Sequence, residues 1–151
     1  MLENIVELQK VSYRIEADLI GFDNIPPLHD TVDIISETEE TFYGLYIEEK
    51  LAGIVSYMVE GGVFDIYRMA VHPNYFRKGI GDRLLTYMLK IGQDEFVEKF
   101  VVSTGMKNEP AKQLYFKHGF KFTANREVAG GLMISTFEKK VGRIESEVSN
   151  G

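Results

Sequence analysis

A short loop with two glycines joins a strand-like segment to a helix-like segment in the middle of the chain. Residues 76–85 read Phe-Arg-Lys-Gly-Ile-Gly-Asp-Arg-Leu-Leu. Gly79 and Gly81 permit a backbone turn in which consecutive N–H groups point to one place. A helix that begins there directs the positive end of its dipole at the same place. The segment therefore predicts an α/β unit whose loop is able to bind a phosphate group.

Two common nucleotide motifs do not fit this loop. A P-loop needs glycine, four residues and then Gly-Lys-Ser/Thr, whereas Lys78 precedes both glycines here. In the dinucleotide fingerprint a third glycine would fall at position 84, which is Leu84. A P-loop nucleotidase and a dinucleotide-binding domain are therefore disfavoured. A loop that begins a helix without binding any ligand remains an alternative.

Two further segments flank the glycine loop. Residues 63–73 read Val-Phe-Asp-Ile-Tyr-Arg-Met-Ala-Val-His-Pro, and residues 108–120 read Asn-Glu-Pro-Ala-Lys-Gln-Leu-Tyr-Phe-Lys-His-Gly-Phe. In this order and spacing, the three segments resemble the GNAT superfamily of acyl-CoA-dependent N-acyltransferases. The resemblance covers roughly residues 41 to 139.

The resemblance implies acetyl-CoA as the acyl donor. Its pyrophosphate would bind to the glycine loop. Its pantetheine arm would lie beside the central strand, which in this family diverges from the next strand, here residues 100–104. The third position before Gly79 is usually Arg or Gln in the family and is Phe76 here. The implied cofactor-binding residues are Met69, Ala70, Val71, Arg77, Lys78, Gly79, Ile80, Gly81, Asp82 and Asn108, with Arg77 and Lys78 the candidates to supply positive charge.

The resemblance also assigns a proton donor. Tyr115 matches the tyrosine of the family's helix, and it would donate a proton to the leaving thiolate, whose intrinsic pKa is about 8.5. A backbone N–H near Ala70 would stabilise the developing oxyanion. Without the resemblance, Tyr115 would be interpreted as a core aromatic residue and Asn108 as a helix N-cap. For Asn108 the two roles are compatible.

The base that deprotonates the acceptor is not evident from a motif. One is needed because a lysine-like amine has a pKa of ~10.4. By the two-residue alternation of a strand, Asp65 shares one face with Met69 and Val71. Asp65 is therefore the candidate base, acting directly or through water, and Glu60 is a weaker one. The ordinary alternative for either carboxylate is solvation at a strand end.

Composition narrows the class of partner. The net charge of −6 argues against general nucleic-acid binding and mildly favours a cationic acceptor, although solubility alone explains such a charge. The chain has no cysteine, which permits a reducing compartment, and its three scattered histidines predict no metal site. It also shows no signal-peptide pattern and no apolar run near the ~20 residues needed to span a bilayer. These features predict a cytoplasmic protein with neither a membrane nor a nucleic-acid partner.

The amino-terminal part predicts two helices. Apolar residues recur at helical spacing in the first, whose buried face would comprise Ile5, Leu8, Ser12, Ile15 and Leu19. A second, short helix includes Leu28 and runs to about Glu37. The loop at residues 22–25 is the candidate for acceptor selectivity, with a plain connector as the alternative. Because GNAT proteins normally begin with a strand, the usual first strand is missing here or supplied otherwise.

From residue 41 the hydrophobic period changes to that of strands. The predicted strands cover residues 41–47, 51–59, 63–71, 100–104, 121–128 and 132–139, and the helices extend from the glycine loop to about 93 and from about 110 to 118. The first three strands form an antiparallel meander. The predicted fold class is α/β (α+β), with a mixed, mainly antiparallel central sheet flanked by helices. One acyltransferase domain would occupy residues 1–140, followed by a polar tail at 141–151.

The function predicted from this reading is direct transfer of an acetyl group from acetyl-CoA to an amine. The acceptor stays open among polyamines, amino sugars, amino acids and the amines of peptides or proteins. One alternative is a non-catalytic acyl-CoA sensor on the same scaffold. Another is a regulatory domain that binds a different nucleotide at the glycine loop. A homodimer is also open, since an exposed edge strand offers unpaired backbone groups.

Overall fold

The computed structural model describes residues 2–21 and 30–142, which form four α-helices, two short 3-10 helices and six strands. Their bounds lie within one or two residues of most of the predicted ones. The elements are α1 (Leu2–Ile20), α2 (Val32–Glu37), β1 (Thr41–Ile47), β2 (Lys50–Glu60), β3 (Val63–Val71), α3 (Ile80–Asp94), β4 (Lys99–Gly105), α4 (Glu109–Lys117), β5 (Lys121–Glu127) and β6 (Met133–Lys140). The predicted start of the second helix, the selectivity loop at 22–25 and most of the tail lie outside the described residues.

All six strands belong to one sheet with the order β1-β2-β3-β4-β6-β5. Neighbouring strands are antiparallel except for β3 and β4, which are parallel. This confirms the predicted mixed, mainly antiparallel sheet and its meander of β1, β2 and β3. Within the described residues the first element is a helix, and β1 lies at the edge of the sheet, so no strand precedes α1 there.

Helices cover both faces of the sheet. On one face, α3 and α4 bury Leu85, Met88 and Tyr115 against Phe64 and Phe100. On the other face, the buried side of α1 packs with α2 against two small-to-medium strand residues, Ile54 and Ala70. The central strands therefore carry apolar side chains on both faces, as their long apolar runs in the sequence require. No helix within residues 2–21 and 30–142 has the length and apolar character needed to cross a membrane.

The parallel strands β3 and β4 pair over only part of their length. Residues 63–66 lie opposite residues 99–102, and no pairing continues beyond that point between these two strands. The end of β3 and the end of β4 therefore diverge, which confirms the predicted opening. Gly105 at the end of β4 allows α1 to approach closely, since an added Cβ would lie 2.9 Å from Cγ2 of Ile20. The opening is thus bordered by a helix on each face of the sheet.

A β-bulge at Tyr67 lies where the opening begins. The adjacent β2 residues Ser56 and Tyr57 lie opposite Arg68 and Ile66, so Tyr67 is an extra residue in β3. Bulges of this kind bend a strand and increase its local twist. The bend reorients the last residues of β3 relative to its first half.

The bulge also contradicts one prediction about Asp65. Ile66 and Met69 both pack into the core on the α3 and α4 side, whereas Ala70 packs under α1. The alternation has therefore shifted by one residue between the two halves of β3. Asp65 does not share a face with Met69 and Val71, and the prediction that it does is wrong.

Candidate active site

Two cavities meet at the opening between β3 and β4. The first, here called the loop cavity, extends toward the glycine loop and includes Val71, Phe76, Gly81, Asn108 and Leu114 in its wall. The second, here called the strand cavity, lies between the diverging strands and includes Tyr13, Arg68, Ser103, Leu132 and Ile134. Four residues line both cavities: Glu16, Met69, Thr104 and Tyr115. A ligand in one cavity would thus meet a ligand in the other at these four side chains.

The backbone of β3 turns two of its last residues toward the opening. The N–H of His72 donates to the carbonyl of Ala52 on β2 at 2.8 Å, and the register places Ala70 opposite Ile54. By alternation, the Ala70 backbone also faces β2, whereas the backbones of Met69 and Val71 face the opening. The Tyr13 hydroxyl hydrogen-bonds to the Met69 backbone, in agreement with this direction. Of the three residues predicted to hold the pantetheine arm, two therefore present backbone groups to the cavity.

The glycine loop has the conformation that an anion site requires. Gly79 adopts the left-handed region with φ of 76°, and Arg77 does so with φ of 63°. No side chain caps α3 at Gly79, so backbone N–H groups of its first turn are available to a ligand. An added Cβ at Gly79 would have no neighbour within 4 Å, which leaves space above the loop. Arg77 and Lys78 are exposed beside it and supply positive charge.

Gly81 has a second reason to be glycine. A Cβ at this position would lie 3.2 Å from Cδ2 of Leu114, closer than ordinary van der Waals contact. The absence of a side chain lets α4 approach the start of α3. The glycine therefore couples the loop to the helix that carries Tyr115.

Asp82 is engaged by α4 rather than left free beside the loop. Its Oδ1 lies 2.8 Å from Nε2 of His118 and 3.0 Å from Nζ of Lys117. The pKa of the Asp82 carboxyl is lowered, mainly by the hydrogen bond from His118 and then by the one from Lys117. These contacts offset a negative charge that would otherwise oppose anion binding, and they join the start of α3 to the end of α4. The contribution of Asp82 to a ligand would thus come from its backbone N–H.

Asn108 is buried at the start of α4 and acts as its N-cap. Its Oδ1 accepts from the backbone N–H of Ala111 at 3.2 Å, and its Nδ2 donates to Oγ1 of Thr104 at 3.1 Å. The expected capping role is confirmed. The same side chain lines the loop cavity, and its bond to Thr104 connects α4 with the end of β4.

Tyr115 lies at the centre of the site. Its ring packs against Phe120 and Phe137 at centroid distances of 6.0 and 5.5 Å, and the side chain lines both cavities. Burial raises the pKa of its phenol, and the negative charge of Glu16 raises it further. The hydroxyl therefore stays protonated at neutral pH and is able to donate a proton. Sequence reasoning selected this residue only through the family resemblance.

Glu16 is a site residue that the sequence reasoning missed. It lies on α1, lines both cavities, and has its pKa raised to about 7 by burial. The predicted buried face of α1 was partly wrong, because Ile15 and Leu19 are 40% and 48% exposed. The buried side instead runs through the residues Ile5, Leu8, Tyr13, Ala17 and Ile20. Glu16 lies at the edge of that side. The helical spacing of Tyr13, Ala17 and Ile20 in the sequence is therefore the signal that could have identified Glu16 as partly buried.

Asp65 lies outside the meeting point of the cavities. Burial raises the pKa of its carboxyl, as expected for a half-buried carboxylate in a sheet. Among the described residues, the side chains that line the two cavities do not include Asp65. Its placement gives no support to a role in proton transfer.

Arg68 anchors a buried ionic network in the wall of the strand cavity. Its Nε donates to Glu40 at 2.8 Å, and its Nη1 pairs with Asp30 and donates to Oε1 of Gln9 at 3.1 Å. Ser56 adds a hydrogen bond to Glu40 at 2.6 Å. The network joins β2, β3 and α1 with the segments that precede α2 and β1. It holds the strands that form one side of the opening.

Comparisons with known proteins agree with this architecture. A profile described as "Acetyltransferase (GNAT) family" matches residues 2–120. UPF0157 protein YqkA of Bacillus subtilis (strain 168) is 38% identical over 133 residues, which cover 88% of this chain and 38% of that protein. Uncharacterized N-acetyltransferase YedL of Escherichia coli (strain K12) is 31% identical over 83 residues, covering 53% and 52% of the two chains. The chain thus spans about half or less of the length of these curated relatives.

Solved structures share the fold at low sequence identity. The ribosomal-protein-S18-alanine N-acetyltransferase from Escherichia coli aligns with a TM-score of 0.76 and 17% identity, over 94% of this chain and 88% of that one. PaiA N-acetyltransferase from Thermoplasma acidophilum, in complex with coenzyme A, aligns with 0.75 and 20%, over 93% and 92%. A GNAT family acetyltransferase from Elizabethkingia anophelis, with acetyl-CoA bound, aligns with 0.65 and 20%, over 74% and 84%. Since the profile matches most of the chain and these structures share its fold, the chain belongs to the GNAT acetyltransferase family.

Proposed function

We propose that this protein is an N-acetyltransferase that moves an acetyl group directly from acetyl-CoA to an amine. The observation that carries the proposal is the opening between β3 and β4, where the loop cavity and the strand cavity meet at Tyr115. Two substrates that enter from the two cavities would bring their reacting atoms together there. CoA or acetyl-CoA bound to structural neighbours of the same fold supports the choice of donor.

The loop cavity is the proposed donor site. The pyrophosphate would bind to the N–H groups of the loop from Gly79 to Asp82, with the charges of Arg77 and Lys78 nearby. The pantetheine arm would extend along β3, where its amides would pair with the exposed backbone of Met69 and Val71. Asn108 lines the same cavity beside Thr104 and would orient the arm.

Transfer would then require no covalent enzyme intermediate. Alignment of amine and thioester supplies up to ~7–11 kcal/mol in favourable cases. The Val71 N–H also faces the opening and is not the one bound by Tyr13, so it would donate to the developing oxyanion, a contribution of roughly 3–4 kcal/mol. Tyr115 would give its proton to the sulfur as the carbon–sulfur bond breaks, so that CoA leaves as a thiol.

The strand cavity is the proposed acceptor site. Its wall combines two apolar residues at the start of β6, Leu132 and Ile134, with Glu16 and Arg68. The charge of Arg68 is already balanced by Glu40 and Asp30. Such a wall suits an amine that carries an apolar or neutral body. The acceptor class is therefore an amine, small or at the end of a peptide.

Replacing Gly81 with glutamate is expected to weaken acetyl-CoA binding by about 100-fold, or about 2.8 kcal/mol at 1.4 kcal/mol per tenfold. The new side chain would meet Leu114 and place a negative charge beside the pyrophosphate. Like charges juxtaposed in a binding site cost several kcal/mol. Calorimetric titration with acetyl-CoA, with free CoA, ATP and NAD run in parallel, measures the effect.

Gly142→Glu is the matched control for this experiment. An added Cβ there has no neighbour within 4 Å, and the residue lies beyond β6, away from the loop. It should bind acetyl-CoA like the unmodified protein, and melting curves should show that both variants are folded. If the unmodified protein bound no CoA, the proposal would fail, and binding of another nucleotide would assign the loop to that ligand. Binding of acetyl-CoA without turnover of any amine would identify a sensor.

A further inference from the structure

The transfer proposed above lacks a base for the acceptor. An alkyl amine is almost wholly an ammonium ion at pH 7, because its pKa is ~10.4, and an ammonium ion has no lone pair with which to attack. The bulge in β3 places Asp65 on the face opposite Met69 and Val71, and Asp65 lines neither cavity. The carboxylate of Glu16 lies instead in the wall shared by both cavities, together with Met69, Thr104 and Tyr115.

Among the described residues, the groups that surround Glu16 provide no fixed counterion for its charge. On α1 and α4 the neighbours are the phenols of Tyr13 and Tyr115, whose pKa values are both raised by burial. On β3 the neighbour is Arg68, which is already paired with two carboxylates. The β4 part of the wall is made of neutral residues, as is the β6 part. Within the described part of the chain, no lysine or arginine forms an ion pair with Glu16.

Placing a carboxylate in this position costs stability. Burial without a cationic partner disfavours the charged form, and this burial raises the pKa of Glu16 to about 7. A group with a pKa near the working pH is also the most effective general base, since it is partly deprotonated and still has appreciable affinity for a proton. The neighbouring phenols do not titrate in this range, so among the described residues that line the two cavities Glu16 is the group that titrates near neutral pH.

We infer that Glu16 is the general base of the transfer, an inference that rests on the proposed function. Its carboxylate takes one proton from the acceptor ammonium, directly or through one water, and the freed lone pair forms the nitrogen–carbon bond. The carbon–sulfur bond then breaks and sulfur takes the proton of Tyr115. The nitrogen gives its second proton to the resulting phenolate, which restores Tyr115. Glu16 releases its proton to solvent, so that each turnover yields one amide, one thiol and one proton.

The test compares Glu16→Gln with the unmodified protein on two kinds of acceptor. The first is the fastest of a panel of primary amines that includes spermidine, lysine amide, an aminoglycoside and an alanine-terminated peptide. The second is hydroxylamine, whose nitrogen is already unprotonated at pH 7. Glutamine should lower kcat with the primary amine by about 100-fold and change the rate with hydroxylamine by less than threefold. Acetyl-CoA affinity, measured by calorimetry, should be retained.

The pH profile supplies a second readout. With the unmodified protein and the primary amine, kcat/KM should rise through an apparent pKa of about 7, where Glu16 loses its proton. In Glu16→Gln this limb should vanish, leaving the rise toward the pKa of the amine itself. A role confined to packing would not remove a limb from the profile.

Thermal stability supplies a third readout that needs no acceptor. Folded Glu16 keeps its proton up to about pH 7, whereas an unfolded glutamate loses it near pH 4.3. Between these values the folded state binds more protons, so stability falls as the pH rises through this window. The Tm of Glu16→Gln should therefore exceed that of the unmodified protein at pH 8, and the two should converge near pH 4.

Glu7→Gln and Asp65→Asn complete the experiment. Glu7 lies on the exposed side of the same helix, and its variant should match the unmodified protein in every assay. If Glu16→Gln kept full activity on the primary amine, or if Asp65→Asn removed the pH limb instead, the inference would be overturned while the transferase function stood. If the protein bound acetyl-CoA but acetylated no amine of the panel, both would be overturned.

Discussion

An Arg68→Met variant should lose about 3–5 kcal/mol of unfolding free energy, the usual cost of breaking a buried ion pair by removing one partner. The side chain of Arg68 is 13% exposed, and those of its partners Asp30 and Glu40 are 15% and 7% exposed. Methionine would fill much of the volume but leave two carboxylates without their counterion. Urea denaturation at pH 7, with the slope compared between variants, measures the loss.

Lys90→Met is the matched control for Arg68→Met. Lys90 pairs with Asp94 one turn along α3, and both side chains are about 70% exposed, at 70% and 68%. Exposed pairs of this kind contribute roughly 0–1 kcal/mol. A loss below about 1 kcal/mol in Arg68→Met, equal to that of the control, would show that water or a rearranged side chain replaces the guanidinium. The network would then be a surface feature and not a support for the opening.

The secondary structure could be predicted because its signals are local. Runs of apolar and aromatic residues with strand-like composition mark β1, β2 and β3, and the glycine pair at 61 and 62 marks the turn between β2 and β3. The strand β3, the glycine loop and the helix α3 follow each other between residues 63 and 94. Tyr115 and Asn108 were selected from a motif that lies on one helix and its N-cap. The distance between such residues is set by the geometry of that single helix and can therefore be predicted from the sequence.

The features that the sequence did not reveal depend on pairing between distant residues. The bulge at Tyr67 is defined only by the register of β3 against β2, and it decides which face Asp65 occupies. The Arg68 network joins residues 28, 38 and 59 positions apart. Neither is visible in a window of ten or fifteen residues. Local patterns therefore predict the elements that flank the opening, but not the contacts between distant residues.

The same limit explains why Glu16 was missed. The helical pattern alone allows two buried faces for α1. One face contains Ile15 and Leu19 and the other contains Tyr13 and Ala17, and both pairs have helical spacing. In the folded protein α1 packs on the sheet through the face that contains Tyr13 and Ala17. Ile15 and Leu19 line the loop cavity instead, so apolar residues that the helical pattern alone would bury form part of the proposed donor site. Residues at functional sites often break the local hydrophobic pattern, so predictions from that pattern are least accurate there.

Tyr115→Phe should lower kcat by about 10²–10⁴, the range typical of losing a positioned general acid. The substitution removes only the hydroxyl. The ring would keep its contacts with Phe120 and Phe137, so the melting temperature should change little. Acetyl-CoA affinity should also be preserved, because the proposed role of the residue is at the leaving sulfur and not at the pyrophosphate. Release of CoA thiol, followed at pH 7 with the fastest amine of the panel, measures the loss.

Tyr87→Phe is the control, since Tyr87 is an exposed tyrosine on α3 that lines neither of the two cavities. A rate in Tyr115→Phe within threefold of that in the control would deny the hydroxyl any part in proton transfer. The pH dependence separates the acid from the base. Burial and the charge of Glu16 both raise the pKa of Tyr115, so the phenol stays protonated from pH 6 to 9 and adds no falling limb. Tyr115→Phe should therefore reduce kcat/KM at every pH in that range and keep the limb near 7, whereas Glu16→Gln should remove the limb.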